Sequence, residues 1–109
     1  MRRSTDADAA YKQGIEKVRA KINANPDDDY QYSRLASLYE ALGMSVEAEQ
    51  AKKKEFEVLR RQISLNLDDA YVHYKLASAS MKLRLYKEAI SAYKKAIALT
   101  RIDSFGGAR

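Results

Sequence analysis

The stretch NPDDDYQYSRLASLY, at residues 25–39, returns further along the chain as NLDDAYVHYKLASAS, at residues 66–80. Seven of the fifteen positions are identical, at a constant offset that takes Asn25 to Asn66. Self-similarity at such a period is typical of proteins built from repeated helical hairpins, in which no single repeat can bury its apolar face alone. The paired stretches therefore predict a repeat protein whose core is shared between neighbouring hairpins.

Around the paired stretches, apolar residues recur at spacings of three and four, which is the spacing of one helix face. The first such face consists of Tyr11, Ile15, Val18 and Ile22. Pro26 ends this helix because the residue before a proline is pushed out of the α region. The aspartates that follow can cap the next helix, and the same arrangement recurs later in the chain. The sequence predicts an all-α protein of about five helices, over residues 9–24, 28–42, 46–65, 69–83 and 86–100.

The two hairpin turns differ in one residue type. The second predicted helix stops at Gly43, and glycine suits the left-handed position that commonly ends a helix. The equivalent position of the later turn holds Arg84. A residue other than glycine costs about 1 kcal/mol in the left-handed conformation. We therefore expect the later turn to have a different shape.

The first helix belongs to the same series, because Tyr11-Lys12-Gln13-Gly14-Ile15 matches Tyr86-Lys87-Glu88-Ala89-Ile90 in order and spacing. The chain thus consists of one second-helix fragment followed by two full hairpins. At these residues it resembles the tetratricopeptide repeat, a helix–turn–helix unit of about 34 residues. The matching residues of the later hairpin are His73-Tyr74-Lys75-Leu76-Ala77, then Tyr86-Lys87-Glu88-Ala89-Ile90, Tyr93 and Ala96. Those of the earlier hairpin are Tyr32, Leu35, Ala36, Tyr39, Gly43 and Ala48.

The resemblance covers residues 11–99 and implies stacked antiparallel helical hairpins in a right-handed superhelix. In such hairpins, small residues let two helices cross closely, here Ala36 with Ala48 and Ala77 with Ala89. The repeat of this chain is longer than the family unit by about seven residues, and the surplus lies in the third helix. This surplus is nearly two helical turns, so the apolar face drifts by only about 20° and the helix simply becomes longer.

The late part of this third helix departs from the family pattern. Lys52 and Glu55 occupy positions where the family has aromatic and small residues. We therefore expect Phe56, Leu59 and Ile63 to carry the packing of this helix.

Length and composition define the class of protein. The 109 residues predict one domain over residues 9–100, with a disordered N-terminus at 1–8 and a flexible tail at 101–109. No apolar run approaches the ~18 residues of a membrane span, and no signal sequence is recognisable at the N-terminus, so we expect a cytoplasmic protein. There is no cysteine, and the net charge of +5 favours acidic partners of any kind.

The resemblance implies that the first helices of the two hairpins line a concave groove for a partner peptide, which could be acidic. Tyrosines offer large contact areas, and Arg34 and Lys75 offer charged donors at equivalent places. The groove positions are Tyr30, Ser33, Arg34, Ser37, Ala41, Tyr71, Tyr74, Lys75, Ser78 and Lys82. The function expected is that of a protein-interaction scaffold.

Two alternatives have some support in the sequence. No polar capping helix follows the fifth helix, so Ile90, Tyr93 and Ile97 could form an edge through which the chain dimerises or swaps a hairpin; the chain could also be a piece of a longer array. The basic runs Lys52-Lys53-Lys54 and Arg60-Arg61, with Lys87, Lys94, Lys95 and Arg101, could contact nucleic acid or an anionic membrane, but no nucleic-acid motif accompanies them.

We expect no catalytic residue, no metal and no cofactor. His73 is the only histidine and occupies an aromatic packing site of the repeat. The aspartates at 27–29 and 68–69 lie at predicted helix starts, where capping explains them. A convergent set of reactive side chains is missing from the sequence pattern.

Overall fold

The computed structural model describes the backbone of residues 2–108 and the side chains of residues 5–101. None of these residues lies in a strand, and the prediction of an all-α protein with five helices and a long third helix is confirmed. The helices are α1 (Arg2–Ala24), α2 (Asp29–Ala41), α3 (Ser45–Leu65), α4 (Ala70–Lys82) and α5 (Tyr86–Ala108).

The chain divides into two compact units, Met1–Glu55 and Phe56–Arg109, where the sequence predicts one domain. The boundary falls inside α3, so this helix contributes its first half to one unit and its second half to the other. The stacking of the hairpins into a right-handed superhelix stays a prediction.

Both ends of the chain differ from expectation. Helix α1 begins at Arg2 instead of Ala9, and α5 continues to Ala108 instead of ending near residue 100. The physical reason is the lack of proline in both segments, so nothing in the backbone forces either helix to stop earlier. Gly106 and Gly107 lie within α5, because glycine weakens a helix without necessarily ending it. Residues 1 and 109, which belong to the predicted disordered ends, lie outside the described residues.

Aspartates begin both repeat helices that follow a loop. The carboxylate of Asp28 accepts a hydrogen bond from the backbone N–H of Tyr30 (3.1 Å), and that of Asp69 accepts from the N–H groups of Tyr71 (3.0 Å) and Val72 (3.3 Å). These bonds satisfy helix N–H groups that have no partner within the helix. Capping therefore accounts for the second aspartate of each repeat, Asp28 and Asp69.

The two hairpin turns have the same geometry, and the expectation of a differently shaped second turn is wrong. Gly43 has φ of 75° and Arg84 has φ of 62°. In the first turn the N–H of Met44 donates to the carbonyl of Tyr39 (2.8 Å), and in the second the N–H of Leu85 donates to the carbonyl of Ser80 (2.9 Å). These bonds satisfy carbonyls at the helix end, and this gain outweighs the steric cost of a side chain at Arg84.

We expect Arg84→Gly to raise the free energy of unfolding by about 1 kcal/mol, because glycine takes the left-handed conformation without a Cβ clash. The matched change Gly43→Ala should lower it by about the same amount, since nothing lies within 4 Å of an added Cβ and the conformation alone is penalised. Urea unfolding followed by circular dichroism measures both. Equal stability of Arg84→Gly and wild type would contradict a strained turn.

The core of the first unit forms where α1, α2 and the start of α3 pack together. It contains Ile15, Val18, Leu35, Ala36, Tyr39, Ala48 and Ala51, with Ile22, Leu38 and Leu42 packed against it. Three of the four residues predicted for the apolar face of the first helix thus belong to this core, and the fourth, Tyr11, is half-buried. Burying each large side chain of this kind contributes roughly 1.5–3 kcal/mol.

The second unit packs α4 against α5 through small residues. Ala77 and Ala89 are both fully buried, and so is Ser80, whose hydroxyl donates to the carbonyl of Leu76 (2.8 Å). Alanines at such positions let two helix backbones approach closely. The further buried alanines of this unit are Ala79, Ala92 and Ala96.

The packing of α3 differs from the sequence prediction. Val58 and Leu59 are buried, whereas Phe56 and Ile63 are only half-buried. The buried face passes through Glu55, which stands where the repeat family has a small residue and is not among the residues expected to pack. The small residues early in α3 define its buried face. Residues that follow them at spacings of three and four lie on the same face, and Val58 is one of these residues.

Candidate functional site

The predicted groove residues of α2 form an exposed surface of the first unit. Tyr30 is exposed to 61%, and Arg34, Ser37 and Ala41 are exposed as well, while Ser33 is half-buried. The Arg34 guanidinium lies 6.0 Å from the centre of the Tyr30 ring. This is a cation–π distance, so the two side chains act together.

The predicted groove residues of α4 repeat this arrangement in the second unit. Tyr71 and Tyr74 are exposed to 65% and 54%, and the Lys75 ammonium lies 4.9 Å from the centre of the Tyr71 ring. Lys82 is exposed and Ser78 is half-buried. The sequence repeat thus places a tyrosine and a cation at equivalent positions of α2 and α4.

The residues predicted to form a self-association edge lie on α5 in two environments. Ile90 and Ile97 are exposed to 55% and 54%. Tyr93 is half-buried, because its ring packs edge-to-face on Tyr74 with 5.7 Å between the ring centres. Such an aromatic pair stabilises the contact between two helices, here α4 and α5.

An open cavity of about 640 Å³ lies between α4 and α5, and its lining is mostly apolar. It brings together Tyr71 and Tyr74 of the predicted groove and Ile97 of the predicted edge. The rest of the lining is Ala70, Ala96, Thr100 and Arg101. The two surfaces that the sequence analysis treats separately therefore share one site in the second unit, which we call the tyrosine cavity.

Three α5 residues of this site are not among the predicted groove or edge residues, namely Ala96, Thr100 and Arg101. Arg101 is predicted only as part of the basic footprint and of the flexible tail. Thr100 follows Ala96 by four residues, and Arg101 follows Ile97 by four residues. This spacing places all of them on one side of a helix. This pattern was available in the sequence, but it required α5 to continue beyond residue 100.

A second cavity of about 750 Å³ in the same unit has a polar rim. His73 lies in its lining and is buried, and its Nε2 donates to the carbonyl of Leu67 (2.9 Å), since a carbonyl can only accept. Arg60 at the rim lies 3.4 Å from the Glu88 carboxylate. His73 therefore has a packing and hydrogen-bonding role here, as the sequence analysis expects.

Two of the residues considered for nucleic-acid binding have acidic partners. Lys52 Nζ lies 2.6 Å from the Glu40 carboxylate, and Arg60 pairs with Glu88. Among the side chains that the structure describes, no three His, Cys, Asp or Glu residues converge as metal ligands would. Within the described part of the chain, no helix combines the length and the apolar character needed to cross a membrane.

Comparison with known proteins gives similarity to solved structures only. No family model and no curated protein matches this chain. A crystal structure of MamA is similar with a TM-score of 0.47 and 20% sequence identity, over 87% of this chain and 52% of that one. The MamA structure labelled MSR-1 C2 gives 0.45 and 22%, over 86% and 50%, and the one labelled AMB-1 C2221 gives 0.43 and 23%, over 83% and 49%. The chain spans about half the length of these structures.

Proposed function

We propose that the protein is a non-catalytic interaction module that binds an apolar peptide segment of a partner protein in the tyrosine cavity. The observation that carries this proposal is the exposure of Tyr71 and Tyr74 beside a mostly apolar cavity of about 640 Å³. Exposed aromatic side chains that adjoin an apolar cavity form a contiguous patch, and such patches mark interaction sites on proteins. Tyrosine also supplies contact area with few rotatable bonds to immobilise.

The charges at the cavity favour a ligand that carries a carboxylate next to its apolar anchor. Arg101 belongs to the lining, and the Lys75 ammonium lies over the Tyr71 ring. An acidic group at that place would form charge-assisted hydrogen bonds with these donors. The equivalent pair on α2, Tyr30 with Arg34, supports a further contact of the same chemistry, as the resemblance to the tetratricopeptide repeat implies.

The test uses peptides selected from a random library on the wild-type protein. Peptides that occupy the cavity should bind the Tyr74→Ala variant about tenfold more weakly, because tyrosines in such positions are common energetic anchors. Lys75→Glu should weaken binding of the acidic peptides and reverse its dependence on salt. Fluorescence anisotropy measures both effects.

The matched control is Tyr86→Ala, since Tyr86 is also exposed to 54% but lies outside the cavity. It should leave the affinity unchanged. Selected peptides that bind the Tyr74→Ala and Tyr86→Ala variants equally well would place their site elsewhere and refute the proposal.

The alternatives from the sequence have less support. A nucleic-acid footprint loses weight because Lys52 and Arg60 already have acidic partners. RNA binding through phosphates would in addition weaken steeply with salt, which a titration reveals. Self-association through Ile90 and Ile97 has the exposure of these residues in its favour. The cytoplasmic location stays a prediction.

A further inference from the structure

Helix α5 carries a continuous apolar stripe beside the face that packs against α4. Tyr86, Ile90, Tyr93 and Ile97 follow one another at spacings of four, three and four, which is one side of a helix. Tyr86, Ile90 and Ile97 are exposed to 54%, 55% and 54%. We call these four residues the α5 stripe. Only Ile97 of the four lines the tyrosine cavity.

The same stripe occurs on α1, and there a helix covers it. In the alignment that matches Tyr11 with Tyr86, the equivalents of Ile90 and Tyr93 are Ile15 and Val18, which are exposed to only 8% and 1%. Helix α2 packs on this face. The contact is so close that a Cβ on Gly14 would lie 3.3 Å from the Leu38 side chain. One helix with the apolar pattern of α2 is thus sufficient to bury such a stripe.

Most positions of α3 that are equivalent to the α5 stripe hold polar residues. The repeat therefore does not require apolar residues at the stripe positions. In the alignment of the two hairpins, Tyr86, Ile90 and Tyr93 correspond to Ser45, Glu49 and Lys52, and only Ile97 has an apolar counterpart, the half-buried Phe56. The chain thus has an apolar stripe on α1, where a helix covers it, and polar residues at three of the four equivalent positions of α3. By this comparison, the exposed apolar stripe of α5 indicates a partner helix.

Cations line one flank of the α5 stripe. Lys87, Lys94 and Arg101 are all exposed and recur every seven residues, which keeps them in one row along the helix. In an antiparallel pair of two α5 helices about a two-fold axis, each row would face its own copy, and like charges would repel. Acidic residues along the partner helix would instead attract the row. The charges therefore favour a different protein over a second copy.

We propose that the α5 stripe binds an amphipathic α-helix of a partner protein whose flank is acidic where it meets Lys87, Lys94 and Arg101. The apolar residues of that helix recur three, four and seven residues apart, as they do on α2. This site goes beyond the tyrosine cavity, because Tyr86, Ile90, Lys87 and Lys94 lie outside the cavity lining.

The probe is a fluorescent peptide with the sequence of residues 28–43, blocked at both ends, because α2 covers the equivalent stripe of α1. It has three acidic residues and one basic residue, Arg34. We expect the wild-type protein to bind it and the Ile90→Glu variant to bind about tenfold more weakly, as a charge replaces a buried apolar contact. The Arg34→Glu form of the peptide should bind wild type more tightly at low salt, and the Lys94→Glu protein should lose that gain.

Three controls make the result specific. Ile90 is more than half exposed, so Ile90→Glu should leave the circular dichroism spectrum and the unfolding midpoint unchanged. Exchange of Leu38 for Ser in the peptide should abolish its binding. Tyr71→Ala, which alters the cavity and not the stripe, should leave binding of this helical peptide intact while it weakens the library peptides. The library peptides therefore test the tyrosine cavity and the helical peptide tests the α5 stripe, so that one proposal can fail while the other holds.

Two outcomes would overturn the proposal. One is equal affinity of the peptide for wild type and Ile90→Glu, or no binding to either protein. The other is a dimer in analytical ultracentrifugation that Ile90→Glu dissociates, with no binding of the peptide, which would assign the stripe to a second copy of this chain.

Discussion

Leu59→Ala is expected to lower the free energy of unfolding by about 3 kcal/mol, the largest effect of any single change considered. Among the side chains that the structure describes, Leu59 is the largest with no exposure at all. Its truncation removes buried apolar surface and leaves a cavity that rigid helices fill only in part. Since small domains have only about 5–15 kcal/mol of stability, this loss should be visible as a large fall in the urea midpoint.

The control for this change lies on the same helix. Leu65 is exposed to 82%, so Leu65→Ala makes the same chemical substitution without a cavity and should change the stability by less than about 0.5 kcal/mol. If the two variants are equally stable, the buried face of α3 has been assigned to the wrong residues. A large effect of Ile63→Ala alone would then place the buried face at Ile63, which the structure leaves half-buried.

Ala77→Leu is expected to destabilise the protein by about 2 kcal/mol and to remove peptide binding at the tyrosine cavity. Ala77 has no exposed surface and lies on the helix that packs against α5. A leucine there can be accommodated only if α4 and α5 move apart. The same movement would separate Tyr74 from Tyr93, whose rings are 5.7 Å apart, and would widen the cavity they support.

The measurement combines urea unfolding with the anisotropy assay for the library peptides. Ala98→Leu serves as the control, because Ala98 is an exposed alanine of α5 and a leucine there meets no closely packed helix. It should leave both stability and peptide affinity close to wild type. Retention of peptide binding by Ala77→Leu would show that the cavity does not depend on the close approach of the two helices.

The two proposals assign different tasks to two neighbouring sides of α5. The side facing α4 supplies Ala96 and Thr100 to the tyrosine cavity, and the side next to it carries Ile90 and the basic row. Ile97 and Arg101 belong to both sites and can contact either ligand. Two ligands that both cover Ile97 would compete, so a helical partner and an extended peptide should not bind independently.

Local chemistry made several parts of the fold predictable. Asp28 and Asp69 cap their helices because a carboxylate there accepts from backbone N–H groups, whatever the rest of the chain does. Gly43 ends α2 because only glycine takes the left-handed conformation without cost. The exposed tyrosines and cations of α2 and α4 follow from their position on a polar helix face.

The same local reasoning was wrong where tertiary packing competes with it. Arg84 adopts the left-handed conformation despite its side chain, because the hairpin requires that turn. Glu55 is buried although it is charged, since it lies on the face that the neighbouring small residues orient inward. Val58 was overlooked for that reason.

The sequence by itself determined the number of helices, the caps of α2 and α4 and the apolar face of α1, because these depend on residues within a few positions of one another. Only the tertiary structure decided that Tyr71, Tyr74 and Ile97 line one cavity, and that Ile90 stays exposed while its counterpart Ile15 is buried. The physical reason is that a periodic pattern defines a face, but what covers that face depends on residues far away in the chain, or on another molecule.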